Sequence, residues 1–445
     1  MRVLSKDLFT AAKERPGETL ELCGWVHRIR DMGGIGFVIL RDRSALAQLV
    51  FGERPVDSSG APLSLESVIR VRGLPALNEK APGGAELRVQ SLEVLSRAAP
   101  DLPYQVNGDA AKTGLEAILD NRALSLRNPK IRSIFSVQAT IIEAFGEYLR
   151  AQDFTEIKTS KLVGGGTEGG TNLFEVEYFD RKVYLAQSPQ LYKQIMVASG
   201  LERVFEVAPA FRAEKHDTPR HLNEYVSLDV EMGFIDSELD LIELEKGLLA
   251  HIFEAVHSKN SDAVAAWNSS VPGPDSVYKA PTIPYEEALK IANTEARAHS
   301  KTAARLFDIN PEAERLLCDW TRGEYGTELI FVNQFPRRYR PFYSYPLDLG
   351  DGQAGSTMSF DALFRGLEIT TGGRRQHDYQ AQLEAIPRFG LKPESLSGLL
   401  SVLKYGAPPH GGFAIGCERL TQKLLGLASV KEASLFPRDR KRVEP

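Results

Sequence analysis

The segment FRAEKHDTPRHLNEYVSLDVEM, residues 211–232, concentrates charged side chains on an alternating apolar pattern, which predicts a β-hairpin. Arg212 and Glu214 share one face of its first strand. The polar face of its second strand consists of Tyr225, Ser227, Asp229 and Glu231. The hairpin is either a half-exposed pair of strands with cross-strand ion pairs, or the floor of a cleft in which Arg212 binds an anion and the loop KHDTPRH covers a phosphate tail. The hairpin alone leaves both interpretations open.

Two further segments carry charged residues that could serve the same cleft. HGGFAIGCERLTQKLLG predicts a glycine-rich strand that runs into a helix, with Arg419 in the first helical turn, where backbone N–H groups favour phosphate. The alternative is a helix that opens with a solvated arginine. FDALFRGLEITTGGRRQHDY places Glu368 on a strand, with Thr371 and Arg375 just beyond it. A carboxylate and a hydroxyl are hard oxygen ligands that suit Mg²⁺, and an arginine can fork onto a carboxylate.

Composition excludes several classes of protein. The chain has 445 residues, 42% hydrophobic and 25% charged, which is typical of a globular protein with two or three domains. Its formal charge of −5 means that nucleic-acid binding would need a local basic patch. Three widely spaced cysteines argue against a disulfide framework or a zinc site. Because the N-terminal segment lacks an apolar signal-peptide core and no apolar run approaches ~18 residues, we expect a cytoplasmic protein.

The helices and strands predicted along the chain, which must position these residues, indicate an α+β protein with an all-β N-terminal domain. Short alternating strands separated by Gly-, Pro- and Ser-containing turns predict a five-stranded OB-fold barrel over residues 1–102, and a polar stretch at 103–130 is typical of a hinge. Residues 131–445 mix helices and strands, with a helical insertion near 236–325. The helix that opens this part has one apolar face, formed by Ile134, Val137, Ile141, Phe145 and Leu149.

Taken together, these segments resemble class II aminoacyl-tRNA synthetases. The helix that ends in GEYLRAQDFTEIKTS resembles their motif 1, FRAE with its basic loop resembles motif 2, and GFAIGCERL resembles motif 3. QSPQLYKQ and GLEITTGGRRQH are similar to the aspartyl branch in its archaeal-type form. Ser160 departs from the pattern, because motif 1 usually ends in proline, and this weakens the match at the dimer interface. The resemblance implies a catalytic domain built on an antiparallel sheet flanked by helices.

The resemblance implies a pocket for aspartate. GGGTEGG, residues 164–170, satisfies the dinucleotide-binding pattern GxGxxG, but the strand-like stretch TNLFEVEYF follows it instead of a helix. In the family this loop closes over the amino acid. The residues implied to bind aspartate are Glu168, Ser188, Gln190, Lys193, Arg212, Asp229, Thr371 and Arg375. Lys193 and Arg375 would bind the side-chain carboxylate, and asparagine, with a neutral amide, would leave both of them unpaired.

The resemblance also implies ATP as a substrate and Mg²⁺ as the metal. ATP would bind bent, with its adenine between Tyr225 and Arg419, and Glu368 and Thr371 would hold Mg²⁺. The residues implied to bind ATP are Arg212, Ala213, Glu214, Arg220, His221, Leu222, Tyr225, Glu368, Gly416, Cys417, Glu418 and Arg419. The implied reaction is in-line attack of the aspartate carboxylate on the α-phosphorus, followed by transfer of the aspartyl group to the 3′-OH of tRNA.

In this family the barrel reads the anticodon. The residues implied to contact it are Arg28, Arg30, Phe37, Gln48 and Glu86, although Phe37 could equally belong to the barrel core. His27 and Pro82 match positions where strict archaeal-type relatives have Trp and Lys and relaxed relatives have His and Pro. The resemblance therefore implies that aspartate tRNA and asparagine tRNA are both charged, and that an amidotransferase converts the misacylated product.

The resemblance implies that this relaxed enzyme is a homodimer. Three alternatives to the relaxed enzyme stay open. They are a strictly discriminating aspartyl enzyme, an asparaginyl-tRNA synthetase and a non-catalytic synthetase-like binding protein. The pair of Lys193 and Arg375 argues against the asparaginyl enzyme. Non-catalytic relatives typically lose the motif 2 or motif 3 arginine, whereas Arg212 and Arg419 are both present.

Overall fold

The computed structural model describes residues 2–31, 35–57, 59–165, 173–215, 217–300, 304–347 and 355–444 of the chain. The chain divides into two units, Met1–Asn128 and Pro129–Pro445.

A closed five-stranded barrel forms most of the first unit, in the strand order β1-β2-β3-β5-β4. Its strands are β1 (Leu20–Asp31), β2 (Gly36–Arg41), β3 (Leu46–Phe51), β4 (Val68–Leu77) and β5 (Ala85–Ser96). Only β3 and β5 pair in parallel. Alternate residues such as Val26, Val38 and Leu49 point inward and are fully buried, and helix α1 (Leu8–Glu14) packs onto the same core. The predicted barrel is confirmed.

Partly buried polar contacts join the segment after the barrel to residues of the barrel and its loops. The segment has two short helices, α2 (Leu115–Asp120) and α3 (Arg122–Ser125). Arg127 donates to the Glu66 carboxylate at 3.1 Å, and the Asn107 amide donates to the carbonyl oxygen of His27 at 3.0 Å. Glu66 also accepts two hydrogen bonds from buried Arg41. Residues 103–128 therefore belong to the first unit, and their action as a hinge stays a prediction.

An eight-stranded sheet is the centre of the second unit, in the order β12-β13-β14-β15-β16-β11-β10-β6. Its strands are β6 (Thr155–Glu156), β10 (Arg203–Phe211), β11 (Glu224–Gly233), β12 (Thr282–Pro284), β13 (Leu329–Asn333), β14 (Ser359–Phe364), β15 (Leu367–Arg374) and β16 (His410–Gly416). The predicted antiparallel pairing holds for the inner strands, but the two outermost pairs, β6 with β10 and β12 with β13, are parallel. A separate small sheet contains β7 (Leu162–Val163), β8 (Glu175–Tyr178) and β9 (Arg181–Leu185), so the stretch after GGGTEGG does form a strand.

Helices α4 (Pro129–Ala151), α6 (Glu238–Ala266) and α12 (Cys417–Leu425) share one apolar core with the sheet strands. The predicted apolar face of α4 is confirmed, since all five of its named residues are buried. Residues 236–325 form α6, α7 (Pro274–Tyr278), β12, α8 (Tyr285–His299) and α9 (Pro311–Tyr325). Helix α6 belongs to the main core, whereas α8 and α9 pack with β12 and β13 in a second core. The remaining helices are α5 (Gln190–Met196), α10 (Tyr379–Arg388) and α11 (Ser397–Lys404).

Within the described ranges, no helix combines the length and the apolar character needed to cross a bilayer. Cys23, Cys318 and Cys417 are all free.

Glu245 of α6 is an ionisable group in this core. It is fully buried, and neither carboxylate oxygen has a hydrogen-bond partner in the part of the chain that the structure describes. Burial raises the pKa of Glu245 to about 8, the neighbouring Thr370 hydroxyl partly offsets the rise, and the nearby Asp361 adds to it. Because the folded protein then keeps a proton that the unfolded chain releases near its ordinary pKa, this group makes the protein less stable as the pH rises from about 5 to 8.

We expect Glu245→Gln to melt at about the parent temperature at pH 5 and at a clearly higher temperature at pH 8, because the amide never ionises. The full difference in pKa, from 4.5 to about 8, corresponds to roughly 5 kcal/mol, at about 1.4 kcal/mol per unit. Calorimetric melting at pH 5, 6.5 and 8 measures this effect, with Glu243→Gln on the exposed face of the same helix as the control. A change in melting temperature of equal size at all three pH values would show that ionisation of Glu245 is not the cause.

Candidate active site

The β10–β11 hairpin separates the core from a cavity. Its antiparallel register runs from Arg203 opposite Met232 to Phe211 opposite Glu224. Leu228 and Val230 are fully buried in the core, whereas Tyr225, Ser227 and Asp229 line the cavity. The alternation predicted from the sequence is therefore confirmed, and the hairpin is the floor of a cleft and not a solvated pair of strands.

The cavity has a volume of about 470 Å³ and collects side chains from distant parts of the chain. The residues predicted from the sequence that line it are Ser188, Gln190, Lys193, Arg212, Glu214, Arg220, His221, Leu222, Tyr225, Asp229, Glu368, Thr371, Arg375, Gly416, Glu418 and Arg419. Ala213 instead lines a second cavity of about 610 Å³, and the Cys417 side chain is buried in the core. Glu168 lies outside the described residues. The binding roles of all these residues stay predictions.

At one end of the cavity two cations meet carboxylates in the protein interior. Lys193 Nζ donates to Asp229 Oδ1 at 3.0 Å and lies 3.4 Å from Glu231 Oε2. Arg375 forks onto Glu231, with Nε to Oε1 at 2.9 Å and Nη2 to Oε2 at 3.2 Å. Lys193, Asp229, Glu231 and Arg375 are all at most 6% exposed. This end therefore holds two cationic donors at fixed positions, next to the cavity, where an acidic ligand group could reach them.

Sequence reasoning assigned no role to Glu231, although this residue connects the two cations. Burial by itself would raise the pKa of Glu231, but Arg375 and Lys193 outweigh burial and hold it below its ordinary value. The only signal in the sequence was its place in the alternation, two residues after Asp229 on the same strand face.

Beside this end, Gln190 opens helix α5 and is 5% exposed. Its side-chain amide nitrogen is buried without a hydrogen-bond partner among the described residues. A buried polar group of this kind can donate to a ligand placed in the cavity.

The other end of the cavity carries two arginines from separate motifs. Arg419 lies in the first turn of α12 and donates from Nη1 to the backbone oxygen of Glu368 at 3.1 Å and to its Oε1 at 3.2 Å. Arg212 follows strand β10 and lies over the ring of Tyr225, with 5.7 Å between guanidinium carbon and ring centroid. Since both line the same cavity, two cationic groups face one space that could take a phosphate ester.

The loop after β10 is held in place by short-range contacts. The Asn223 side chain donates to the backbone oxygens of Arg212 at 2.7 Å and of Glu214 at 3.1 Å. His221 Nε2 lies 3.7 Å from Glu214 Oε2. Below the loop, Glu418 accepts from the backbone N–H of Val226 with both oxygens, and burial raises the pKa of Glu418 to about 7. The backbone entering and leaving the loop is therefore fixed on the cavity side.

An oxygen-rich corner lies on strands β14 and β15. Thr371 Oγ1 donates to Glu368 Oε1 at 3.3 Å, and Asp361 is the cross-strand partner of Thr371. Asp361 is buried, its Oδ1 has no hydrogen-bond partner among the described residues, and Arg340 pairs with Oδ2 at 2.8 Å. Burial raises the pKa of Asp361 to about 6. Sequence reasoning missed Asp361 and Arg340.

This corner offers a hard divalent cation only part of the ligands that it needs. Among the described residues, no cluster of three or more His, Cys, Asp or Glu is arranged to hold a metal ion. Mg²⁺ commonly takes one or two carboxylates and completes its coordination with water and substrate phosphates. Glu368 and Thr371, with the orphaned oxygen of Asp361 beside them, match that requirement.

In the barrel, the residues predicted to read a nucleic acid share one outer face. The register pairs Arg30 with Phe37, Arg28 with Ile39, Ile39 with Gln48, and Gln48 with Glu86. The two arginines are exposed and Phe37 is half-buried and outside the barrel core. Glu86 is buried and accepts hydrogen bonds from Gln48 and Asn78. This face thus combines exposed cations with an accessible ring, as single-stranded nucleic acid requires.

The two residues predicted to set tRNA choice differ in their surroundings. Pro82 is half-buried in a one-turn 3₁₀ helix, Pro82–Gly84. His27 is buried at a β-bulge of β1, and its Nδ1 lies 2.8 Å from Arg41 Nη1. Because a guanidinium only donates, Nδ1 must accept, so the imidazole is neutral with its proton on Nε2. Burial and Arg41 both lower the pKa of His27, which agrees with that state.

Comparisons with known proteins match both units. Residues 114–440 match the family model "tRNA synthetases class II (D, K and N)", and residues 20–95 match "OB-fold nucleic acid binding domain". A Thermus thermophilus protein named aspartate–tRNA(Asp/Asn) ligase is 47% identical over all of both chains. A Pyrococcus horikoshii protein named aspartate–tRNA(Asp) ligase is 38% identical over 97% of this chain and 98% of its own.

Solved structures resemble the whole chain as well. An asparaginyl-tRNA synthetase from Pyrococcus horikoshii, complexed with asparaginyl-adenylate, superposes with a TM-score of 0.87 at 30% identity and 97% coverage of both chains. An aspartyl-tRNA synthetase from Entamoeba histolytica gives a TM-score of 0.80 at 28% identity, covering 96% of this chain and 90% of the other.

We expect Glu231→Gln to lower the melting temperature at neutral pH, because Lys193 and Arg375 then lose the charge between them. Removing one partner of a buried ion pair costs about 3–5 kcal/mol. Because the pKa of Glu231 is lowered on folding, the carboxylate stabilises the protein above its unfolded pKa, and this stabilisation is lost as the pH falls through the folded value. The difference between variant and parent should therefore shrink below about pH 4.5.

Calorimetric melting between pH 3.5 and 7.5 measures this difference. Glu224→Gln, at the exposed start of the same strand, is the matched control. A variant as stable as the parent at pH 7.5 would contradict the role given to Glu231.

Proposed function

Since this chain belongs to the class II tRNA synthetases of the D, K and N group, we propose that it attaches L-aspartate to tRNA at the expense of ATP, through an aspartyl-adenylate. The observation that carries the proposal is one cavity with different chemistry at its two ends. Lys193 and Arg375 lie at the end suited to an acidic side chain, and Arg212 and Arg419 lie at the end suited to a nucleotide. No nucleophilic side chain is required, because positioning and charge neutralisation are what phosphoryl-group chemistry demands.

In the proposed first step an oxygen of the aspartate α-carboxylate attacks the α-phosphorus of ATP. The bond between the α-phosphorus and the bridging oxygen breaks, and pyrophosphate leaves with that electron pair. Arg212, at the nucleotide end of the cavity, would neutralise the α-carboxylate and the α-phosphate together. Tyr225 and Arg419 would bind the adenine from its two faces, and Gln190, with Glu168 from the loop, would orient the amino acid.

Mg²⁺ would be held by Glu368 and Thr371, close to Asp361, and would neutralise charge on the triphosphate when bound. Glu368, which would hold Mg²⁺, is itself held by hydrogen bonds from Arg419 and Thr371. These hydrogen bonds therefore limit where the phosphates can lie. In the second step the 3′-OH of the terminal tRNA ribose attacks the aspartyl carbonyl carbon, and AMP leaves.

Support for charging two tRNAs comes from the barrel and from the names of relatives. The Thermus thermophilus and Deinococcus radiodurans relatives, 47% and 45% identical, are named for aspartate and asparagine tRNA, whereas the 38% identical Pyrococcus relatives are named for aspartate tRNA alone. This chain has His27 and Pro82, the pair expected of a relaxed enzyme. A second enzyme, an amidotransferase, would then convert aspartyl-tRNA(Asn).

We further infer a homodimer in the cytoplasm, with α4 and β6 at the dimer interface. The support is the resemblance of this segment to motif 1, from which Ser160 departs. Sedimentation of the purified protein tests the assembly.

We expect aspartate to drive exchange of pyrophosphate into ATP, and asparagine to drive it ~10⁴-fold less efficiently, since its side chain offers Lys193 and Arg375 one uncharged acceptor in place of a carboxylate. Lys193→Met should abolish most of the aspartate signal. Lys182→Met, an exposed lysine of β9, is the matched control. Exchange driven equally well by asparagine would instead favour an asparaginyl enzyme.

We expect the parent protein to aspartylate purified asparagine tRNA and aspartate tRNA at comparable rates. The double variant His27→Trp/Pro82→Lys should lose charging of asparagine tRNA while retaining that of aspartate tRNA. Glu93→Gln on the outside of β5 serves as the control. Charging of asparagine tRNA at the background rate by the parent would show a strictly discriminating enzyme.

A further inference from the structure

The helical part of residues 236–325 contacts residues of the proposed nucleotide site through the side chain of Glu314. Helix α9 begins after Asn310, whose side chain caps the backbone N–H groups of Glu312 and Ala313. Glu312 points to solvent, but Glu314, two residues on, is only 6% exposed. Sequence reasoning gave this acid no role.

Glu314 joins two parts of the cavity wall. Its Oε2 accepts a hydrogen bond from the backbone N–H of Glu368 at 3.0 Å. The same oxygen accepts a hydrogen bond from Nη2 of Arg220, in the loop between β10 and β11. One carboxylate oxygen therefore ties the loop to the strand that carries the predicted metal ligand.

The charge on Glu314 depends on Arg220. The side chains of Glu314 and Arg220 are 8% and 24% exposed, so their ion pair is largely shielded from water. Burial raises the pKa of Glu314 above its ordinary value, Arg220 only partly offsets the rise, and the neighbouring Glu368 adds to it. A buried carboxylate without a partner is strongly unfavourable, so the pair holds both side chains in one geometry.

Arg220 uses only one edge of its guanidinium for this pair. Among the described residues, Nη2 bonds Glu314, whereas Nε and Nη1 have no hydrogen-bond acceptor, and the side chain lines the cavity. A guanidinium has five N–H donors in a rigid plane, so a hydrogen bond on one edge also fixes the direction of the donors on the other edge. Because Arg220 lines the same cavity as Arg212 and Arg419, its remaining donors are available to a nucleotide bound there.

We propose that Glu314 is a positioning residue for the ATP phosphates: it orients Arg220 toward the triphosphate and fixes the backbone of Glu368 at the same time. This inference rests on the proposed function, because it assigns a residue to the nucleotide end of that site. Through Glu314, helix α9 sets the distance between the loop arginine and the carboxylate that would bind Mg²⁺.

Aspartate-dependent pyrophosphate exchange with varied ATP tests this role. In Glu314→Gln the amide oxygen can still accept from the Glu368 N–H, but the charge that orients Arg220 is gone. We expect the KM for ATP to rise about tenfold, the effect of one charge-assisted hydrogen bond, while the KM for aspartate stays within twofold. Glu312→Gln, on the exposed side of the same helix, should leave both constants unchanged.

A double-variant cycle separates positioning from a merely structural role. If Glu314 acts through Arg220, then Glu314→Gln in an Arg220→Ala background should change the KM for ATP less than twofold. Equal effects in both backgrounds, a parallel rise in the KM for aspartate, or a lower KM for ATP in Glu314→Gln would each overturn the proposal.

A second variant covers the case in which Glu314→Gln does not fold. Arg220→Lys keeps a cation beside Glu314 but lacks the second edge of donors, so the KM for ATP should rise as in Arg220→Ala. A parental KM in Arg220→Lys would overturn the proposal. If the parent shows no aspartate-dependent exchange at all, the proposed function is wrong. If the parent shows normal exchange and Glu314→Gln has the parental KM for ATP, only the role of Glu314 is wrong.

Discussion

The buried contact of Glu231 with Lys193 and Arg375 fixes the floor of the cavity. Three segments of the chain contribute to it: helix α5, strand β11 and the end of strand β15. Each of the three charges would be strongly unfavourable in the interior alone, and they become tolerable because they neutralise one another together with Asp229, which pairs with Lys193. The positions of the two cations are therefore set when the chain folds, before any ligand binds. An enzyme that must select a small acidic molecule benefits from such preorganisation, because the ligand does not need to order its own binding groups.

The sheet makes this arrangement possible because its two faces differ. One face packs against α4, α6 and α12 in an apolar core, and the other face is left to polar side chains. Since side chains alternate along a strand, each of β11, β15 and β16 can serve both faces with neighbouring residues. Thr370 and Thr371 illustrate this point, since the first is almost fully buried and the second lines the cavity.

Local patterns in the sequence predicted the barrel, helix α4 and the polar face of β11, because burial on one side imposes a period that can be read along the chain. The gathering of Arg212 and Arg419 in one cavity could be predicted only by resemblance, since nothing in either segment points to the other. Glu231, Asp361 and Glu314 were missed for the same reason. Their partners lie well outside the local pattern, 144 residues away for Glu231 and Arg375 and 94 for Glu314 and Arg220, and a lone acid on a strand or helix is usually solvated. The parallel pairing at the two edges of the sheet could not be predicted either, because β6 and β12 are too short to carry a recognisable sequence pattern.

The neutral imidazole of His27 lies against the Arg41–Glu66 pair, and the backbone of the same residue holds Asn107. The residue proposed to influence tRNA choice thus also connects separate segments of the first unit. A bulkier side chain there must find room beside Arg41 and removes one of the acceptors of that guanidinium. A change of tRNA usage through residue 27 would therefore also alter the surroundings of a buried ion pair, so the stability of the first unit and the choice of tRNA are coupled at this position.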